Sequence, residues 1–373
     1  MSSPDAARPG AERPARDGLP PVEAPTATFI LQLFLIPLAI VTIVVLLWLM
    51  FSWMAHMGRD NPATLVSELQ KLDENSWQRA YELADLLRSP DPKYDALRHD
   101  PKLAASLAAA LEADLEHPTA GRGDESRIKR RMFVCRALGS FHVADPLPTL
   151  LKAAEQQRDP LEAEVRLSAL EGIASLGSNI GPEKIRENGE AMRVLLAASR
   201  ETSDDSPPVP AKGEETTYRA AAEIRAVAAY ALGVIGGEEA LARLRVMVND
   251  GYPNARYNAA TGLARAGDEA CIGVIKEMLD GDNEASARDE RFDDDKDRKR
   301  WNVINNGIKA TLLLAETSPQ THLAPLLAAL EKLSESELAL VKREKTRLKN
   351  HALEALRTLK KQGRAEKAKA NPS

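Results

Sequence analysis

Residues 224–236 read IRAVAAYALGVIG, and three other stretches can be laid on them: RRMFVCRALGSFH from Arg130, VRLSALEGIASLG from Val165 and ARYNAATGLARAG from Ala255. The second position is basic each time, at Arg131, Arg166, Arg225 and Arg256. The fifth is small (Val134, Ala169, Ala228, Ala259) and the ninth is a large aliphatic (Leu138, Ile173, Leu232, Leu263). Three of the four end in glycine, at Gly177, Gly236 and Gly267, with His142 as the departure. Glycine at that place predicts a left-handed helix cap, a conformation that costs other residues energy. The basic anchors are 35, 59 and 31 residues apart. The long interval holds SRETSDDSPPVPAKGEETT, which predicts a loop insertion near 200–217. A second insertion, 281–299, is crowded with charges of both signs.

Outward from these stretches the chain reads as amphipathic helices in pairs, at about 64–88, 101–142, 144–177, 189–236, 238–267, 268–316 and 321–359. Asp100-Pro101 predicts an N-cap with proline at the first helical position. Behind it Leu103, Leu107, Leu111 and Leu115 recur every fourth residue and draw one apolar stripe. Only 4% of the 373 residues are aromatic, so Leu and Ala must fill the core, as in all-helical packing. Self-similarity of this kind predicts an all-α chain built as a solenoid. One helix pair cannot bury its own apolar face, and stacked pairs cover one another. The pattern V/I-R-x-x-A-x-x-x-L-x-x-x-G resembles the short HEAT-like repeats also found in phycobilisome lyases. The resemblance covers about three quarters of the chain and is clearest at 130–177 and 223–280. It implies about seven antiparallel helix pairs over residues 60–360, in a right-handed stack that serves as a docking surface. The tryptophan, glycine, tyrosine and proline signature of tetratricopeptide arrays does not recur.

Ahead of the repeats, Phe29–Met54 is a run of 26 residues without a charge. As a helix it is about 39 Å long at ~1.5 Å per residue, enough to cross a bilayer. Trp48 and Trp53 fall toward its end, where an interfacial aromatic belt belongs. Pro37 and Thr42 are its candidate contacts with a membrane partner. The first 28 residues read as a disordered tail of Pro, Ala and mixed charge, unlike the short basic start of a signal peptide. A retained single-pass anchor is therefore predicted at 29–54. Two basic residues on either side at close range leave orientation undecided by charge, and unpaired Cys135 and Cys271 point to a cytoplasmic repeat unit.

Residues 341–373 carry eleven Lys or Arg against three Glu, a local +8 that leaves −13 on the rest of a chain whose total is −5. Residues 361–373 read as a disordered basic tail. A globally basic nucleic-acid binder is disfavoured. No histidine lies three or four residues from another histidine or a cysteine, so no zinc spacing shows. Asp293, Asp295 and Asp297 alternate, but Arg298 and Ile304 stand where a calcium loop needs glycine and an acid, so a solvated loop is expected. Neither a phosphate-binding glycine loop nor a nucleophile elbow is present. Cys135 belongs to the apolar stripe and reads as core. The four arginines have two readings: a structural ladder pairing with acids or helix-end carbonyls of adjacent repeats, or cations facing an acidic partner.

Together these readings predict a non-catalytic, membrane-anchored scaffold with protein partners, a membrane protein among the candidates, and neither a cofactor nor a small-molecule substrate. The rival from the resemblance is a bilin lyase or isomerase. The rival from charge is binding of nucleic acid or an anionic surface through the basic C-terminal segment.

Overall fold

The structure, a computed structural model, describes residues 26–57, 76–119, 124–157, 161–201, 215–287, 290, 292–318, 323–336 and 342–370. Among them all regular structure is helical. The chain divides into two compact units, residues 1–61 and 62–373.

The first unit holds α1, Ala27–Met57, which contains the whole predicted anchor with Pro37 inside it. Its Leu33–Trp53 stretch is long and apolar enough to cross a membrane, a property shared with signal sequences, and none of it is buried. Trp48 and Trp53 are both about two-thirds exposed. The Thr42 hydroxyl donates to the Leu38 carbonyl at 2.8 Å, so it is satisfied within its own helix. The tail at 1–25 lies outside the described residues.

The second unit begins, among described residues, with α2 (Ser76–Arg88), the short α3 (Asp95–Arg98) and α4 (Pro101–Leu115). The start of α4 follows from its sequence: the Asp100 carboxylate accepts from the Lys102 and Leu103 amides at 2.8 and 3.2 Å. All four leucines of its stripe are buried. The helices α5 (Glu125–Gly139), α6 (Leu147–Ala154), α7 (Glu162–Ile180), α8 (Pro182–Arg186), α9 (Gly189–Ala198) and α10 (Glu215–Ile235) follow. The array closes with α11 (Glu238–Met247), α12 (Pro253–Arg265), α13 (Ile272–Met278), α14 (Asp293–Thr317), α15 (Ala324–Glu335) and α16 (Lys342–Ala370). Pairs run α4/α5, α6/α7, α9/α10, α11/α12, α13/α14 and α15/α16. The second helices form a continuous layer, each packed on the next from α2 through α5, α7, α10, α12 and α14 to α16. One apolar core extends beneath them from Ala80 to Leu359. Residues 58–75, where the first pair was expected to begin, are not described.

Glycine brings these second helices together. A Cβ on Gly139 would lie 2.6 Å from the Gly172 Cα, and one on Gly233 would lie 2.7 Å from the Gly262 Cα. The backbones of α5 and α7, and of α10 and α12, therefore touch directly.

Three expectations are corrected. Gly236 and Gly267 do adopt positive φ, but Gly177 does not. The α7 helix runs past Gly177 because Ile180 still finds cover, and it stops at Gly181 (φ 102°) with Pro182 opening α8. Residues 293–299, expected within a loop, form the first turns of α14. Asp293, Asp294 and Asp295 sit in its first turn, where the helix dipole favours anions. Lys296 reaches back to Asp293 at 3.1 Å and Arg300 to Asp297 at 3.5 Å. The segment from 361, expected to be disordered, continues α16 as far as Ala370. Its Ala, Lys, Arg and Glu are good helix formers, and the next proline is Pro372. The centre of the 200–217 insertion, 202–214, lies outside the described residues.

Candidate functional site

The four arginines share one geometry. Each guanidinium caps carbonyls at or just past the end of its own repeat's first helix and meets a carboxylate. Arg131 donates to the Asp114 carbonyl and, at 2.6 Å, to the His117 carbonyl, with Asp114 Oδ1 at 3.4 Å and Glu162 of the next pair at 3.6 Å. Arg166 donates to the Ala154 carbonyl at 3.0 Å and grips Glu201 with both terminal nitrogens. Arg225 donates to the Glu201 carbonyl at 3.1 Å and to both Asp250 oxygens at 2.9 and 3.0 Å. Arg256 donates to the Asp250 carbonyl at 3.2 Å and to both Glu277 oxygens at 3.1 and 2.5 Å. Every arginine thus fastens one repeat to itself and, through Glu162, Glu201, Asp250 or Glu277, to the next. The heads are turned into the fold; Arg131 is fully buried, and its Nε and Nη1 have no hydrogen-bond partner there, Nη1 facing Glu162 at 3.6 Å. Burial lowers the Arg131 pKa against the pull of Asp114 and Glu162. At Arg256 burial also acts to lower the pKa, but Glu277 outweighs it and the net shift is upward. The acids carry a recognisable signal: Glu201, Asp250 and Glu277 each lie at or just past the end of a first helix.

The nucleophile candidates are inert. Cys135 and Cys271 are both buried, and burial pushes each thiol up to about 12. Their chemistry is that of small core residues.

Among the described residues, the second-helix layer carries two adjoining grooves, and a further cavity of about 490 Å³ lies between α13 and α15. One groove of about 490 Å³ runs from Arg136 on α5 across α7, α10 and α12 to α14, five successive second helices. Its lining is polar, with Glu164 and Glu223 alongside Asn254 and Asn258 on α12 and Asn302 and Asn306 on α14. The two asparagine pairs follow i,i+4 spacing, which puts each pair on one helix face. Asn258 Nδ2 donates to the Ala226 carbonyl at 2.8 Å, which fixes that amide in the groove wall. A neighbouring groove of about 680 Å³ shares Arg136 and Glu171 with it and reaches Tyr230 and Asn179. Toward α2 the same layer becomes aromatic and cationic. The Phe133 ring stacks on Trp77 at 6.4 Å and meets Tyr81 edge-on at 5.2 Å. Lys129 lies over Trp77 and Arg136 over Phe133, each at 5.6 Å. Tyr81 is half-exposed. The repeat pattern gave no sign of this concentration of rings. Trp77 and Tyr81 lie on α2, outside the four aligned stretches, so only packing brings them to Phe133.

Packing also joins two histidines that the sequence keeps apart. His142 Nδ1 lies 3.3 Å from His99 Nε2, across 43 residues of chain. Burial, His99 and Arg98 lower the His142 pKa. His322 and the side chain of His56 lie outside the described residues.

A family model for HEAT repeats matches residues 215–291, which span α10 to the turn before α14. No curated protein matches the chain. Among solved structures, human deoxyhypusine hydroxylase in complex with glycerol is similar at 16% identity and a TM-score of 0.25, over 82% of this chain and 98% of that one. The matched segment contains two of the four arginine-anchored helices, and the same anchor geometry recurs at Arg131 and Arg166. The chain carries HEAT repeats at residues 215–291, within an all-helical array that repeats their anchor geometry.

Proposed function

We propose that this protein is a non-catalytic, membrane-anchored scaffold that holds an extended segment of a partner protein in the groove of its second-helix layer. The observation that carries the reading is the groove itself: five successive repeats, from Arg136 on α5 to Asn306 on α14, contribute side chains to it, while the arginine ladder is turned into the fold. Paired asparagines suit a peptide backbone, since the amide side chain offers both donors and an acceptor. The Trp77, Tyr81, Phe133 and Arg136 patch supplies the residue types that dominate binding energy at protein interfaces. The anchor role of α1 rests on its exposed apolar side chains, which water disfavours by roughly 25 cal/mol per Å². This reading puts the repeat array on the cytoplasmic side, which Cys135 and Cys271 as free thiols support.

The test is affinity purification of the full-length protein in mild detergent, with variants on each face. Tyr81→Ala and the pair Asn302→Ala/Asn306→Ala should lose a stoichiometric partner that the parent protein retains. Val246→Ser, at an exposed position on a first helix, should keep it. Equal recovery by all variants would refute the groove as the binding surface.

A further inference from the structure

We propose that Asp95, His99 and His142 form a binding site for a divalent transition metal of the zinc type. One ligand atom from each residue lies within 4.8 Å of the other two. The histidine pair is the more telling. Zinc bound tetrahedrally at about 2.0–2.1 Å from two imidazoles holds their nitrogens about 3.3–3.4 Å apart. His142 Nδ1 and His99 Nε2 are 3.3 Å apart.

The surroundings prepare the pair. His99 Nδ1 lies 2.9 Å from the Asp95 carbonyl, which can only accept, so the proton sits on Nδ1 and the Nε2 lone pair faces His142. That second hydrogen bond is the usual way a ligating imidazole is oriented. The His142 amide donates to the Arg98 carbonyl at 2.8 Å, which ties the two histidine-bearing segments together through the backbone. Asp95 supplies the third ligand. Its place as a ligand rests on the 4.8 Å grouping; its Oδ1 meets the non-ligating His99 Nδ1 at 3.7 Å and the Arg98 guanidinium at 3.3 Å, so a bound ion would compete with both for that carboxylate. Water completes the coordination. Two imidazoles and one carboxylate select zinc, cobalt or nickel over calcium and magnesium, which prefer oxygen. The ion would clamp the α3 segment to the end of α5, and the site stands independently of the proposed groove.

The experiment uses full-length protein in detergent without a histidine tag, titrated with Zn²⁺ against a chromophoric chelator and with Co²⁺ followed by its visible absorption. One ion per chain is expected, with visible Co²⁺ bands of a nitrogen-ligated site. His99→Ala and His142→Ala should each weaken binding at least about tenfold, the loss that removing even an outer-shell partner brings. His117→Ala, just past the end of α4, should leave it unchanged. His99 is half-exposed, so His99→Ala decides the matter even where His142→Ala fails to fold. Absence of saturable binding, survival of binding in His99→Ala, or equal loss in His117→Ala would each overturn the site.

Discussion

Replacing Arg225 with methionine tests the ladder at its most enclosed two-oxygen grip. Arg225 is 5% exposed, and the Asp250 side chain it holds is 10% exposed. Methionine keeps the stem's packing and helix propensity and deletes the charge together with the hydrogen bond to the Glu201 carbonyl. Asp250 then keeps the Tyr252 amide at 2.8 Å as a donor. Removing one partner of a buried ion pair costs about 3–5 kcal/mol, because the other charge stays desolvated. The loss falls on the joint between α10 and the end of α11, so it should also separate the unfolding of the repeats on either side. The double variant Arg225→Met/Asp250→Leu removes both charges and should recover most of the loss, since apolar replacements of buried pairs are often neutral. Urea unfolding of the full-length protein in detergent, followed by far-ultraviolet circular dichroism, measures the double variant and both singles, Arg225→Met and Asp250→Leu. A single variant within about 1 kcal/mol of the parent, or a double variant as unstable as the two singles combined, would refute the reasoning.

Gly262→Ala should destabilise by about 1–3 kcal/mol in the same assay, since its Cβ would meet the Gly233 Cα at 2.6 Å. Gly273→Ala, with nothing within 4 Å of the new Cβ, should instead stabilise by about 0.5–1 kcal/mol. Cys135 and Cys271, with thiols pushed up to about 12, should resist alkylation in the folded protein and react in urea. At Glu277 burial raises the pKa, but hydrogen bonds from Arg256 and Tyr257 outweigh it and leave the value below the ordinary 4.5. Its contribution to stability is therefore complete above 4.5 and lost as pH falls through the lowered folded value. Glu277→Gln should flatten the acid limb of a stability–pH profile, and an unchanged limb would contradict the assignment.

The helix pairs, the Asp100-Pro101 start and the apolar run at 29–54 were legible in the sequence because each is a local matter. Periodicity and caps are properties of a single helix, set by residues within a few positions of one another. The same local reasoning failed where context decided: Gly177 has the residue type of a cap, yet burial of Ile180 carries α7 beyond it. Asp293–Lys299 has the composition of a loop, yet i,i+3 charge pairs on a helix accommodate it. Position two of the repeat announced an arginine but not its acid, which lies 17 residues away for Arg131 and 35 for Arg166. His99 and His142, or Gly139 and Gly172, gave no sign of meeting. Repeats of unequal length offer no constant separation at which to look for a partner. Which side chains meet depends on how one helix pair is set against the next, and only the packed array determines that.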